Sequence, residues 1–319
     1  MAVYTHIGDA ELEAFLAEYD IGRPLAFKGI AEGVSNSNFL LETDRGRFIL
    51  TVYEARTDAA DLPYFLGLMR WLADAGYPSA APVPGKDGQA LRSVNGKPAA
   101  IATFLQGMSA ARPTAAQCKE AGAGLAWLHQ AAADFPMVRP NDLGQAHWAD
   151  MFAPLHAAAE GLKPGLAKVI DADIAHFAAH WPRHLPRGTI HADFFPDNVF
   201  FRDGRFSAAI DFYFACQAQL AYDVAITLNA WCFEPDGSFN VTKARALIAG
   251  YESRRPLTAD EKALMPLLAH GAAMRFFLTR LADWAKPADG ALVRPHNPME
   301  YERKLAVHRA GLDLFGATA

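Results

Sequence analysis

Two carboxylates, an amide and an imidazole stand at spacings that can do chemistry. The stretch Thr189–Phe201 reads TIHADFFPDNVFF, and AIDF follows at Ala209–Phe212. Two strand-like apolar runs flank a loop that carries His191, Asp193 and Asn198, and the turn signal Asp203-Gly204 folds the chain back toward Asp211. A carboxylate can orient an attacking hydroxyl and accept its proton, and hard oxygen ligands can hold Mg²⁺ against nucleotide phosphates. These are the parts of a phosphoryl-transfer site. Asp193 is then the base, Asn198 and Asp211 the metal ligands, and His191 a brace for the loop. Alone, a His-x-Asp pair is more often a hydrogen-bonded loop pair than a catalytic element; the Asn at its fixed offset, the hairpin and the second Asp make the combination specific.

Asp193, four intervening residues and Asn198 reproduce the spacing of the protein-kinase catalytic loop, with Asp211 where those enzymes carry their second metal-binding Asp. HADFFPDNVFF followed by AIDF resembles the Brenner motif of the aminoglycoside-phosphotransferase and choline-kinase superfamily. GIAEGVSNSNFLLET and RFILTVYE, nearer the N-terminus, extend the likeness to the bacterial homoserine kinases of that superfamily. The resemblance implies an α+β, protein-kinase-like bilobal fold: an N-terminal antiparallel sheet lobe with a covering helix over residues 1–105, and a larger, mainly helical lobe over 106–319. It also implies ATP and Mg²⁺ as cofactors and homoserine as acceptor, giving O-phosphohomoserine for threonine synthesis.

The elements that must position these residues follow in order. Asp9 is placed to cap a helix over Ala10–Tyr19. LAFKGI, FLLET and RFILTVYE read as three strands. The first turn, Gly29–Asn38, offers backbone N–H groups and the side chains of Ser35, Asn36, Ser37 and Asn38. The resemblance sets Gly33, Ser35, Asn36 and Asn38 over the triphosphate. The third strand departs from the kinase pattern, with Thr51 at the place of the phosphate-binding Lys. Thr here is familiar among the homoserine kinases. Lys28 or Arg47 can supply the missing charge; either also reads as a solvated side chain.

Leu62, Phe65, Leu66, Met69 and Leu72 repeat at helical spacing within a helix over Asp58–Ala75, stopped by Gly76. A hairpin turning at Asn95-Gly96 leads to a hinge at Thr103–Gly107. In this architecture hinge backbone groups, here of Thr103 and Leu105, meet the adenine edge. Thr114 and Gln117 form a capping box that opens a helix ending near His129, which reads as a structural histidine. Helices are expected around 149–160, 166–184, 242–253, 258–284 and 298–315. LAYDVAITLNAWCF is a buried helix in which Asp223 is expected in a supporting role, capping the helix or hydrogen-bonding the catalytic-loop backbone.

A free amino acid needs an Arg for its carboxylate near Asp193. Arg275 is the first candidate and Arg280 the second, with an internal ion pair the competing reading for each. The motif does not encode the acceptor, so choline, an aminoglycoside or hydroxylysine are alternatives. Outside kinases, His191, Asp193 and Asp211 can be read as a metal-dependent hydrolase site, and the whole as a nucleotide-binding module without turnover.

The composition limits the partners. The 319 residues carry a net charge of −5 with pI near 6.1, which argues against nucleic acid or an anionic membrane surface. Cys118, Cys216 and Cys232 are widely spaced and read as reduced core thiols rather than a disulfide or zinc framework. No basic leader and no apolar run long enough to span a bilayer is seen, so a cytoplasmic protein is expected. Oligomeric state is not legible.

Overall fold

The computed structural model describes residues 5–30, 36–54, 57–286 and 295–314. Gly33 and Ser35 lie outside them.

The first helix, α1 (Asp9–Leu16), starts one residue earlier than expected, because the Glu11 carboxylate reaches back to accept the Gly8 N–H at 2.7 Å. Strands β1 (Pro24–Ile30), β2 (Ser37–Thr43) and β3 (Gly46–Val52) follow, then α2 (Leu62–Asp74) and the hairpin β4 (Arg92–Val94) and β5 (Lys97–Thr103). These strands form one antiparallel sheet in the order β1-β2-β3-β5-β4. Asn95 and Gly96 both take positive φ, 52° and 74°, as the expected two-residue turn requires.

Alternation along the strands gives this sheet two unlike faces. Phe39, Leu41, Leu50 and Val52 are buried with Leu12, Phe15 and Leu16 of α1. On the other face two cross-strand rows run Lys28–Leu40–Ile49–Ala102 and Ile30–Asn38–Thr51–Ala100. That second face turns toward the larger core, which Ala100 joins. Its Leu40 and Ile49 are only half-buried, leaving apolar surface exposed on the inner side of the sheet.

The chain crosses out of the sheet beyond Thr103, where Met108 pairs with Phe201. The remainder is mainly helical: α3 (Ala115–Ala131), α4 (Trp148–Phe152), α5 (His156–Leu162), α6 (Leu166–His180), α7 (Leu220–Trp231), α8 (Val241–Glu252), α9 (Ala259–Ala285) and α10 (Met299–Arg309). The capping box at Thr114 and Gln117 is formed as expected. Two short antiparallel pairs are set among these helices, β6 (Arg187–Ile190) with β9 (Cys216–Gln219), and β7 (Val199–Arg202) with β8 (Arg205–Ala209). The three cysteines are buried and free. Among the described residues no helix is long and apolar enough to cross a membrane.

Helices α3 and α8 meet backbone to backbone through two glycines. A Cβ on Gly122 would overlap the Leu247 carbonyl, and one on Gly250 the Lys119 carbonyl. Neither neighbour is a flexible side-chain end, so Gly250→Ala is expected to force the helices apart and cost about 1–3 kcal/mol. Chemical denaturation measures it; a midpoint equal to that of the parent would refute the close contact.

Candidate active site

The β7–β8 hairpin brings Asp211 back to Asn198. Asp203 and Gly204 turn with φ 51° and 76°, Val199 pairs with Ala209, and the Ile210 N–H donates to the Asn198 carbonyl at 3.0 Å. His191 closes the group from beneath. Its Nδ1 accepts the Asp193 N–H at 3.2 Å and its Nε2 donates to the Ile210 carbonyl at 3.0 Å. Only a neutral ring can do both, and burial pulls its pKa down to about 4. With both ring nitrogens engaged and the residue fully buried, His191 has no lone pair left for a metal. The hydrolase reading, which needs such a lone pair, loses its ligand.

Beneath the loop lies a second layer. The Asp223 carboxylate accepts the N–H groups of His191 at 2.8 Å and Ala192 at 2.9 Å. It also bonds His129 Nε2 at 3.0 Å, and His129 Nδ1 meets the Tyr251 hydroxyl at 2.8 Å. Burial would raise the Asp223 pKa, but His129 and the loop N–H groups outweigh it and hold the group below its ordinary value. This clamp keeps Ala192 at φ +62°, a left-handed conformation that disfavours a side chain. Asp223 and His129 are thus supports, as their sequence context suggested.

Asn198 is oriented unambiguously. Its Nδ2 donates to the Asp193 carbonyl at 2.9 Å and to Asp193 Oδ2 at 3.1 Å, both acceptors, so Oδ1 faces the other way. Among the described residues that oxygen makes no hydrogen bond. Asp211, at φ +64°, is exposed. The crowding walls still desolvate it enough to raise its pKa to about 6, with exposed Asp197 adding repulsion. Desolvation likewise lifts Asp193 to about 7, opposed by the nearby Arg275 charge. An unbonded amide oxygen and a carboxylate suit a hard divalent cation that completes its shell with phosphate oxygens and water. No closed cage of three or more His, Cys, Asp or Glu side chains occurs among the described residues.

Other candidates are partly committed elsewhere. Asn36 is buried, its Oδ1 accepting from the Glu54 N–H at 3.2 Å and the Thr57 hydroxyl at 3.1 Å. Ser37 donates to Glu54 at 2.7 Å, which also binds Lys97 and Thr5. Asn38 Oδ1 accepts the Thr51 hydroxyl at 2.8 Å on the inner face of the sheet, so the Thr at the lysine position ties two strands together. Lys28, on the same face, is exposed and its side chain is unpartnered among the described residues. Arg47 lies instead at the hinge end, 4.9 Å over the Phe104 ring. Thr103 is committed to Ala81, donating its N–H at 2.9 Å and accepting through Oγ1. The N–H and C=O of Leu105 make no hydrogen bond among the described residues, which leaves a donor and an acceptor at the hinge.

Arg275 is buried and donates to the Ala192 carbonyl, its guanidinium 4.3 Å over the Phe276 ring and 5.2 Å over Phe214. Arg280 is paired with Glu300 at 2.6 Å, so the ion-pair reading holds for it. Sequence reasoning missed Tyr213, whose hydroxyl meets that of Tyr53 at 3.1 Å beside Asp211. It sits in the position after Asp-Phe, where only its unusual size was a signal.

Residues 26–257 match the model of the phosphotransferase enzyme family APH. The chain belongs to this family. It is 67% identical over 320 residues to the homoserine kinase of Caulobacter sp. (strain K31), with all of both chains covered. It is 64% identical to the homoserine kinase of Phenylobacterium zucineum (strain HLK1), covering 100% of this chain and 99% of that one. Among solved structures, amicoumacin kinase hAmiN in complex with AMP-PNP, Ca2+ and Ami superposes with a TM-score of 0.70 at 14% identity, covering 98% of each chain. The fold is the protein-kinase-like, α+β fold of these phosphotransferases.

Proposed function

We propose that this chain transfers the γ-phosphoryl group of ATP to the hydroxyl of L-homoserine, giving O-phospho-L-homoserine for threonine biosynthesis in the cytoplasm. The identity of 67% with a homoserine kinase along the whole chain carries the choice of acceptor. The convergence of Asp193, Asn198 and Asp211 supports the chemistry.

Residues 1–105 and 106–319 form the two sides of the nucleotide cleft. Leu40, Ile49 and Ala102 would hold the adenine, Thr103 would keep the hinge in shape, and the N–H and C=O of Leu105, without a hydrogen bond among the described residues, would meet its edge. Gly33, Ser35, Asn36 and Asn38 belong to the loop over the phosphates, Asn36 bracing its base, and Lys28 is the cation on that side. Asp193 orients the acceptor hydroxyl and takes its proton as the phosphoryl group is attacked. Asn198 and Asp211 hold Mg²⁺, which when bound neutralises charge on the phosphates. His191 keeps the two carboxylates in register. Arg275, expected at the acceptor's carboxylate, has a part in the loop itself: it fixes Ala192 and favours the ionised form of Asp193.

The test is ADP release from Mg·ATP with L-homoserine, choline and an aminoglycoside as separate acceptors. Turnover with homoserine alone is expected. Turnover with another acceptor in its place would leave the kinase chemistry and remove the acceptor.

The raised pKa values set a pH dependence. Below about 6 Asp211 carries a proton in the metal-free site, and binding a cation there must displace it. Mg·nucleotide affinity is therefore expected to weaken about twofold from pH 8 to pH 6 and about tenfold by pH 5, with proton release that fades above pH 7. Calorimetry in buffers of different ionisation enthalpy measures both. The two carboxylates have folded pKa values above the unfolded one, so in the metal-free chain their stabilising contribution is present at acid pH and lost as pH rises through 6 and 7. Stabilisation by Mg·nucleotide should be largest above that window.

A further inference from the structure

Beside the catalytic turn, on the helical side, lies a cavity of about 460 Å³. Pro196, between Asp193 and Asn198, forms part of its wall, as do the segment after the hinge around Arg112, the end of α7 at Trp231, and one side of α10. Trp231 is bound to the catalytic loop, donating Nε1–H to the Phe194 carbonyl at 2.7 Å. A molecule in the cavity therefore touches the turn that carries the proposed base.

The charges around it are unevenly paired. Four cations, Arg112, Lys243, Arg303 and Lys304, face two carboxylates, Glu234 and Glu300. Lys243 is held by Glu234 at 2.6 Å. Lys304 is buried, donating to the Asn229 carbonyl at 2.9 Å with Glu300 at 3.4 Å. Arg112 and Arg303 are exposed and have no hydrogen bond or ion pair among the described residues. The unspent charge is thus two guanidiniums, which match the fork of a carboxylate. Glu300 meets Arg280 at 2.6 Å through Oε2 and Lys304 at 3.4 Å through Oε1, and its half-exposed edge puts the opposite sign on the same wall.

Resting on the proposed function, we infer that this cavity holds the amino-acid end of the acceptor, with Arg112 and Arg303 on its carboxylate and Glu300 on its ammonium. The site is built for a zwitterion rather than for a plain alcohol, amine or sugar: it offers both signs close together, between the proline and aromatic walls of Pro196, Trp231 and Phe233. Arg275 is not the carboxylate ligand here, since its faces are covered by Phe214 and Phe276 and one N–H is tied to the loop.

The experiment compares L-homoserine with 3-aminopropan-1-ol, the same chain without the carboxylate, and with 4-hydroxybutanoate, which lacks the ammonium. Wild type, Arg112→Ala, Arg303→Ala, the double variant, Glu300→Gln and Arg275→Gln are assayed. In the double variant the ratio of kcat/KM for homoserine over 3-aminopropan-1-ol is expected to fall about thirtyfold, through KM for homoserine, with KM for ATP unmoved. In Glu300→Gln the ratio over 4-hydroxybutanoate should fall instead. Where an analogue turns over too slowly, its inhibition constant against homoserine gives the same comparison. An unchanged ratio in the double variant, or a ratio that collapses only in Arg275→Gln, overturns the inference. A wild type that consumes ATP with another acceptor and ignores homoserine brings down the functional reading itself, and the wild-type arm alone reveals it.

Discussion

Asp193→Asn is expected to lower kcat by about 10²- to 10⁴-fold while the affinity for Mg·ATP stays within about threefold. The substitution keeps size and shape, and an amide oxygen can still accept from Asn198 Nδ2, which now bonds Asp193 Oδ2 at 3.1 Å. What it removes is a group able to take the acceptor's proton and, by its charge, to hold the hydroxyl in line. The effect should fall on kcat and kcat/KM together, since proton acceptance belongs to the transition state and not to the bound substrate. Rapid-quench measurement of one turnover, beside nucleotide titration, separates chemistry from binding. A kcat within tenfold of wild type would show that Asp193 is not the base.

Asp223→Ala should be the most damaging change outside the cleft. Three partners converge on its side chain, the N–H groups of His191 and Ala192 and the His129 ring, which in turn meets the Tyr251 hydroxyl. All are buried, so no water is at hand to replace the carboxylate. Removing one side of such a buried, charge-assisted network costs about 3–5 kcal/mol. Ala192 would also lose the anchor for its φ of +62°, with only the Arg275 contact left on its carbonyl. A lower denaturation midpoint is expected, and with it a loss of kcat greater than any change in the KM for ATP. Asp223→Asn, which keeps one acceptor oxygen, should fall between the two. A denaturation midpoint within 1 kcal/mol of wild type would mean that the loop holds its shape without this clamp.

The chemistry of the site was legible because its parts are close in sequence. His191, Asp193 and Asn198 share one loop, and Asp211 returns through a hairpin whose turn, Asp203-Gly204, announces itself by the residues that tolerate positive φ. The sheet was legible for the same reason: its hairpins are local and its alternation has period two. Helix ends were less so, and α1 begins at Asp9 because Glu11 caps it from inside.

Which partner each polar side chain takes was decided by the tertiary structure. Nothing local tells Asn36 to brace residues 54 and 57, or Arg280 to pair with Glu300, and both had been candidates for ligand contacts. His129 and Asp223 stand 94 residues apart, yet their contact fixes the catalytic loop. The surplus of positive charge around the cavity arises from segments after the hinge, on α8 and on α10 that meet only in the folded chain. Residue type and spacing fix what chemistry a short segment can perform, because backbone geometry acts over a few residues. A buried polar group, by contrast, must be satisfied by whatever the packed chain brings within about 3 Å, and that choice is made only when the whole fold is assembled.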